Sequence, residues 1–261
     1  MRALSIAATG MTAQQRNVET IANNVANVNT TGFKKSRLEF SDLMYQPIRR
    51  QGSLSSNAGT MVPAGVEIGL GVKPVAVTRI TTQGSLQQTG NALDLAIEGR
   101  GYFVIQLPNG ENAYTRAGAL QRSAEGQLVT VDGYEVAPGI TIPADTREIV
   151  ISRTGEVLAY ENENINPTNV GRIQLANFVN EAGLEALGDN LFRETPASGE
   201  PTNGFPGDPG FGSVRQGYVE ASNVDVVQEI TNLIQAQRAY EMNSKVIEAG
   251  DEMSKTATAM R

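Results

Sequence analysis

The chain has 261 residues, 40% of them hydrophobic, enough to bury a sizeable core in one or two domains. It contains no cysteine and no histidine, which excludes disulfides, thiolate chemistry, Ser-His-Asp and Cys-His catalysis and histidine zinc sites, and leaves carboxylate pairs, lysines and oxygen-ligand metals. A net charge of −7 argues against general nucleic-acid binding, and no window approaches the roughly 18 consecutive apolar residues of a membrane span.

In chain order, "MRALSIAATGMTAQQ" is too short in its apolar stretch for a signal-peptide core, so the expectation is a soluble protein, cytoplasmic or exported without a cleaved signal. Leu4, Ala7, Met11, Gln14, Val18, Ile21, Val25 and Val28 are spaced alternately by three and four. Only Gln14 is polar, so the pattern is a heptad seam and predicts a helix of about 26 residues. Gly32 after Thr30-Thr31 suits a left-handed C-cap, with Lys34 and Lys35 just beyond at the negative end of the helix dipole. Residues 46–72 are rich in Gly, Ser and Pro without helical period, which predicts an extended connector.

From Pro74, short apolar runs alternate with turn signals. "GYFVIQL" precedes "PNG" and "GQLVTV" precedes "DG", both hairpin signatures; "REIVIS", "GEVLAY" and "GRIQLANFV" continue the strands. Residues 196–217 read as a loop. Ser222 with Asp225 reads as a capping box opening a second helix, in which Val226, Ile230, Leu233, Ala236, Tyr240 and Ile247 repeat at helical spacing and Val227, Ile234 and Met253 widen the stripe to about Thr256. The predicted fold class is α+β. Two long terminal helices form a coiled-coil-like assembly domain, with an extended connector and a β-rich domain between them. The expected boundaries are 1–35, 36–75, 76–217 and 218–261.

Four asparagines, Asn23, Asn24, Asn27 and Asn29, crowd the end of the first seam although asparagine is a poor helix former. Residues 1–50 hold seven basic and three acidic groups and residues 216–261 four and seven, which favours the two ends lying side by side. One reading is an antiparallel helical hairpin against the β-domain. The favoured reading is packing against copies of the chain, where a buried asparagine fixes register at some cost in stability. The expected assembly interface comprises Leu4, Met11, Val18, Ile21, Asn24, Val25, Asn27 and Val28 on the first helix and Val226, Ile230, Leu233, Tyr240 and Ile247 on the second.

Two other readings compete. An enzyme acting on glycans could use Asp94 with Glu98 or Glu161 with Glu163, but no flanking pattern marks a cleft. A monomeric β-domain binding module would leave both terminal seams unexplained. "EGRGYFV" lacks the third glycine of a dinucleotide loop, and no cofactor or metal site is implied.

"ANNVANVNTTGFKKSR" near the start and "VDVVQEITNLIQAQRAYEMNSKVIEAGDEM" near the end resemble the paired terminal signatures of the bacterial flagellar rod and hook axial proteins. "GNALDLAIEGRGYFVI", "YTRAGALQRSAEGQLVTVDGYEV" and "QGYVEASNVDV" are similar to that family's internal blocks, in the expected order. Length and the stretch after the first helix point to the distal rod members, with the proximal rod members as near competitors. The resemblance implies a hollow tubular filament that transmits torque through the periplasm and conducts exported subunits. Its expected partners are further copies of the chain, neighbouring proximal rod and hook-side axial proteins, and the surrounding basal-body rings, with no nucleic acid and no membrane insertion. It also implies delivery by the flagellar type III export apparatus and subunit-bridging by residues 46–72.

Overall fold

The computed structural model describes residues 2–49, 64–161 and 166–259. Two helices, α1 (Arg2–Ala26) and α2 (Val226–Ala259), flank a β-rich middle, the α+β arrangement expected. The chain divides into two compact units. The first takes the described parts of Met1–Val25, Ser36–Thr78 and Asp225–Arg261, the second Ala26–Lys35 and Arg79–Val224.

In the first unit the stretch after α1 is extended, and it is paired with itself. Ser36–Asp42 lies against Val72–Arg79, and Tyr45–Arg49 runs antiparallel to Val66–Gly69. The described ends of the Gly/Ser/Pro-rich connector are thus paired strands, and the Gly/Ser-rich part from 50 to 63 lies outside the described residues. Glycine and proline signals conceal such a ribbon because its stability comes from cross-strand pairing, which local composition does not report. Met44, Tyr45, Ile48, Val75 and Val77 on it are exposed.

The second unit is built on a nine-stranded sheet. Its central hairpin, Tyr102–Gln106 with Asn112–Thr115, turns at "PNG" as predicted, and Leu128–Thr130 returns through "DG" to pair with Glu135–Val136. The run "YFVI" is apolar without a break because both faces of its strand are covered. Phe103 and Ile105 join a core with Leu95, Ile97, Leu128, Ile140, Ile173 and Leu175, while Tyr102 and Val104 join Tyr114, Phe178, Leu184 and Phe192. The aromatic rings on that second face meet edge to face, Tyr114 and Phe178 with centroids 4.8 Å apart. A three-stranded sheet, Thr146–Ile151, Glu156–Glu161 and Thr168–Arg172, shares no strand pairing with the nine but adds Ile151 and Val157 to the same core.

Three local expectations are corrected. The first helix ends at Ala26, so Asn27 and Val28 lie beyond it, in successive turns closed by Thr30 N–H to Asn27 O and Phe33 N–H to Thr30 O. Gly32 has the expected positive φ of 71°, but its N–H donates to Glu220 O instead of capping the helix, and a side chain there would meet the backbone of Arg116 and Ala117 at 2.7–2.8 Å. The second helix is capped by Asp225 and not Ser222: Asp225 Oδ1 accepts from Val227 N–H at 3.0 Å and Gln228 N–H at 3.3 Å. Before it, Tyr218–Glu220 forms a strand against Leu86–Gln88.

Candidate assembly surface

α1 and α2 pack antiparallel within the first unit. Leu4 reaches Gly250, Gly10 lies against Asn243, and Asn24 bonds Glu229. A β-carbon on Gly10 would stand 2.9 Å from Asn243 Nδ2, and one on Gly250 would stand 2.8 Å from Leu4 Cδ2. Small residues at both points let the helices come this close. The line on α2 that meets α1 is Glu229, Ala236, Asn243 and Gly250, a seven-residue repeat of small and polar residues with Glu229, Ala236 and Gly250 buried. Hydrophobic periodicity could not find it because it carries no large apolar side chain.

The asparagine run finds its explanation here. Asn24 is buried; its Oδ1 accepts from Ser36 N–H and its Nδ2 donates to Ser36 O, both at 2.8 Å, and Nδ2 also reaches Glu229 Oε2 at 3.3 Å. One amide side chain therefore ties α1, the start of the ribbon and α2 together inside one chain. The fork of donor and acceptor it offers a backbone segment is the property for which asparagine suits this position.

The expected interface residues fall into three groups. Ile21 and Asn24 are buried, while Leu4, Met11, Val18, Val25, Leu233 and Ile247 are partly buried. Val226, Ile230 and Tyr240 are exposed. Asn27 and Val28 belong to the second unit. Beyond these, α2 exposes Val227 at 76%, Ile234, Met242, Val246 and Met253 at 66%. A groove of about 530 Å³ runs between the helices, floored by Val18 and Tyr240 and edged by Gln15, Glu19, Gln237 and Glu241. The helix pair thus buries one narrow line and leaves wide apolar stripes on its outside.

Sequence reading missed the polar centre of the second unit. Lys34 and Glu220 are an ion pair with side chains 1% exposed. Lys34 Nζ also donates to Thr82 O at 2.9 Å, Gly84 N–H donates to Glu220 Oε1 at 2.9 Å, and the Arg116 guanidinium stands 3.6 Å from Glu220 Oε2. Arg116 donates in turn to Gly99 O at 2.8 Å. Burial lowers the Lys34 pKa, and the Glu220 carboxylate only partly offsets it. Asn223 completes the cluster, accepting from Lys35 N–H at 2.8 Å and donating to Ile80 O and Thr82 O. A lysine pair such as Lys34-Lys35 reads as a solvated helix end; that one is buried depends on a partner 186 residues away.

Of the proposed carboxylate pairs, the described members each have their own polar partners or surroundings. Asp94 is buried and accepts from Asn91 Nδ2 at 2.9 Å, Glu98 pairs with exposed Arg153, and Glu163 lies outside the described residues. Among the described residues no helix is long and apolar enough to cross a membrane.

Comparison with known proteins places matches at both ends and in the middle. Residues 4–34 match the family model described as flagella basal body rod protein, residues 96–159 the flagellar hook protein FlgE/F/G D1 domain, and residues 215–260 the flagellar basal body rod FlgEFG protein C-terminal region. The flagellar basal-body rod protein FlgG of Caulobacter vibrioides is 58% identical over 261 residues, covering 100% of both chains, and that of Agrobacterium fabrum is 58% identical over 254 residues, covering 97% of each. The flagellar hook-basal body complex protein FlhP of Bacillus subtilis is 32% identical, with 97% of each chain covered. With its helical ends, its β-rich middle and its whole length matched in this way, the chain belongs to the flagellar basal-body rod protein family.

Proposed function

We propose that the protein is a structural subunit of the flagellar rod, in its distal part. Its terminal helices pack against those of further copies in a hollow tubular filament that transmits torque and conducts exported subunits. The observation that carries this reading is the outer side of α2, where Val227, Ile230, Ile234, Met242, Val246 and Met253 are exposed on a long helix whose inner line is already used. Contiguous apolar surface of this kind is the mark of a surface that is covered in the working state. The seam residues Leu4, Met11, Val18, Ile21, Asn24, Val25, Val226, Ile230, Leu233, Tyr240 and Ile247 then act in two ways, the inner ones shaping each helix pair and the outer ones meeting the next copy.

The ribbon supports the same reading. A lone two-stranded ribbon is marginal in water, and this one carries exposed Met44, Tyr45 and Ile48, so residues 46–72 bridge to neighbouring copies. The rod reading also assigns the protein to the periplasmic basal body, reached through the flagellar export apparatus. Proximal rod and hook-side axial proteins lie at the two ends of its filament, and basal-body rings surround it. The test is sedimentation with negative-stain microscopy across concentration. Tubes or large oligomers that grow with concentration support the proposal; a compact monomer throughout, with fully formed helices, overturns it.

A further inference from the structure

We infer that Asn223 is the tie of a load-sharing collar, through which torque carried along the chain passes into three backbone segments at once. The inference rests on the rod reading above. The covalent chain crosses between the two units four times, after Val25, Lys35, Thr78 and Val224. At three of those crossings the adjoining residues of the second unit are bonded to one another. Lys35 stands just before the strand Ser36–Asp42, Ile80 just after the strand Val72–Arg79, and Asn223 two residues before Asp225, the cap of α2.

Asn223 reaches both of the other segments. Its Oδ1 accepts from Lys35 N–H at 2.8 Å, and its Nδ2 donates to Ile80 O at 2.9 Å, Thr82 O at 3.0 Å and Thr82 Oγ1 at 3.1 Å. Its own N–H donates to Phe33 O at 3.4 Å, and Ile80 N–H donates to Lys35 O at 2.9 Å. The three segments therefore close a ring of bonds. Asparagine suits the position because a short side chain offers an acceptor and two donors, and an aspartate would lose both donors. The ring adjoins the buried ion pair, since Lys34 Nζ donates to the same Thr82 O.

The mechanical consequence follows from connection in parallel. A pull on the chain at Ser36, Arg79 or Val224 reaches the ring within one residue and is opposed there by bonds to the other two segments together. Removing the Asn223 side chain leaves Lys35 paired with Ile80 through the backbone, but the segment leading to α2 loses four side-chain bonds to its neighbours. Failure under force is governed by an opening rate, and each net hydrogen bond lost favours the open form by about 2- to 13-fold.

The test is made in living cells, with motor load set by the size of a bead attached to the filament and the rate of hook shedding as the readout. Asn223→Ala assembles rods of normal number and length, counted on isolated basal bodies, and sheds hooks at the wild-type rate under low load. At stall load its shedding rises by at least about twofold. Wild-type shedding at stall load overturns the proposal. So does a rise that is equal at low load and at stall, the mark of a second unit that is merely less stable. Should the variant fail to assemble, hydrogen exchange on wild-type rods decides. Amides of Lys35, Ile80 and Asn223 protected as strongly as those of 102–106 support the collar, and amides that exchange freely overturn it. Rods that assemble without this chain overturn the rod reading itself, whereas wild-type rods with a variant indifferent to load overturn the collar alone.

Discussion

At the residue scale, the second unit balances two buried cations against one carboxylate. Glu220→Gln keeps the shape and removes the charge, leaving Lys34 and Arg116 buried without a counter-ion. The expected loss is about 3–5 kcal/mol, read from urea unfolding followed by tyrosine fluorescence. Adding Lys34→Met to that variant restores part of it, since a buried ion pair replaced by apolar volume is often near neutral. Alkaline pH acts on the same unit in two directions. Tyr102 and Tyr114 are pushed above their ordinary value of 10.0, first by burial and then by Glu181 and Glu194 respectively. Their folded forms hold the proton more tightly, so their contribution is complete below pH 10 and is lost as pH rises beyond it. Lys34 is lowered from 10.5, so the unfolded chain binds more protons below that pH and the Lys34 contribution rises with pH up to about 10.5. With two tyrosines against one lysine, the melting temperature should fall above pH 10. Tyr102→Phe should make that fall shallower, as thermal melts from pH 8 to 11 would show.

At the element scale, α2 depends on its cap and on a close seam more than on hydrophobic periodicity. Asp225→Ala removes acceptors for two first-turn N–H groups and should cost about 1 kcal/mol. Hydrogen exchange confined to the first turn of α2 checks it, with the second unit unaffected. At the other contact, Gly10→Val forces a branched side chain into space 2.9 Å from Asn243. Overpacking of this kind costs about 1–3 kcal/mol, and lower helix content by circular dichroism, with the tyrosine signal of the second unit retained, is the expected outcome. The strands behaved differently from the helices under sequence reading. The two hairpins with "PNG" and "DG" were legible because their turns require glycine at positive φ, at Gly110 and Gly133. The ribbon was not, because its pairing joins segments on either side of a composition that signals only irregularity.

At the scale of the whole molecule, stability and assembly rest on different residues. Ile234→Asp places a charge on the exposed stripe of α2. It should leave single-chain stability within about 0.5 kcal/mol, as for an ordinary surface change, while abolishing concentration-dependent tubes in negative stain. Loss of both would mean that the stripe is internal packing. An unchanged assembly would move the interface elsewhere on the helix pair. The same separation explains why the heptad pattern was so readable: large apolar residues repeat on α2 mainly on its outside, whereas the inner line of Glu229, Ala236, Asn243 and Gly250 is short and polar.

Local sequence alone determined the two terminal helices, most strands and the family, since periodicity, turn residues and motif order are written in neighbouring positions. It marked Asn24 as unusual without naming its partners. Tertiary structure decided where α1 stops, that Gly32 and Lys34 belong to the second unit, and that Asn24 clamps Ser36 and Glu229. The physical reason is range. Capping, hairpin turns and amphipathic spacing act over a few residues, whereas the burial of Lys34 and Asn24 depends on partners 186 and 205 positions away, and only the folded chain brings them within hydrogen-bond distance.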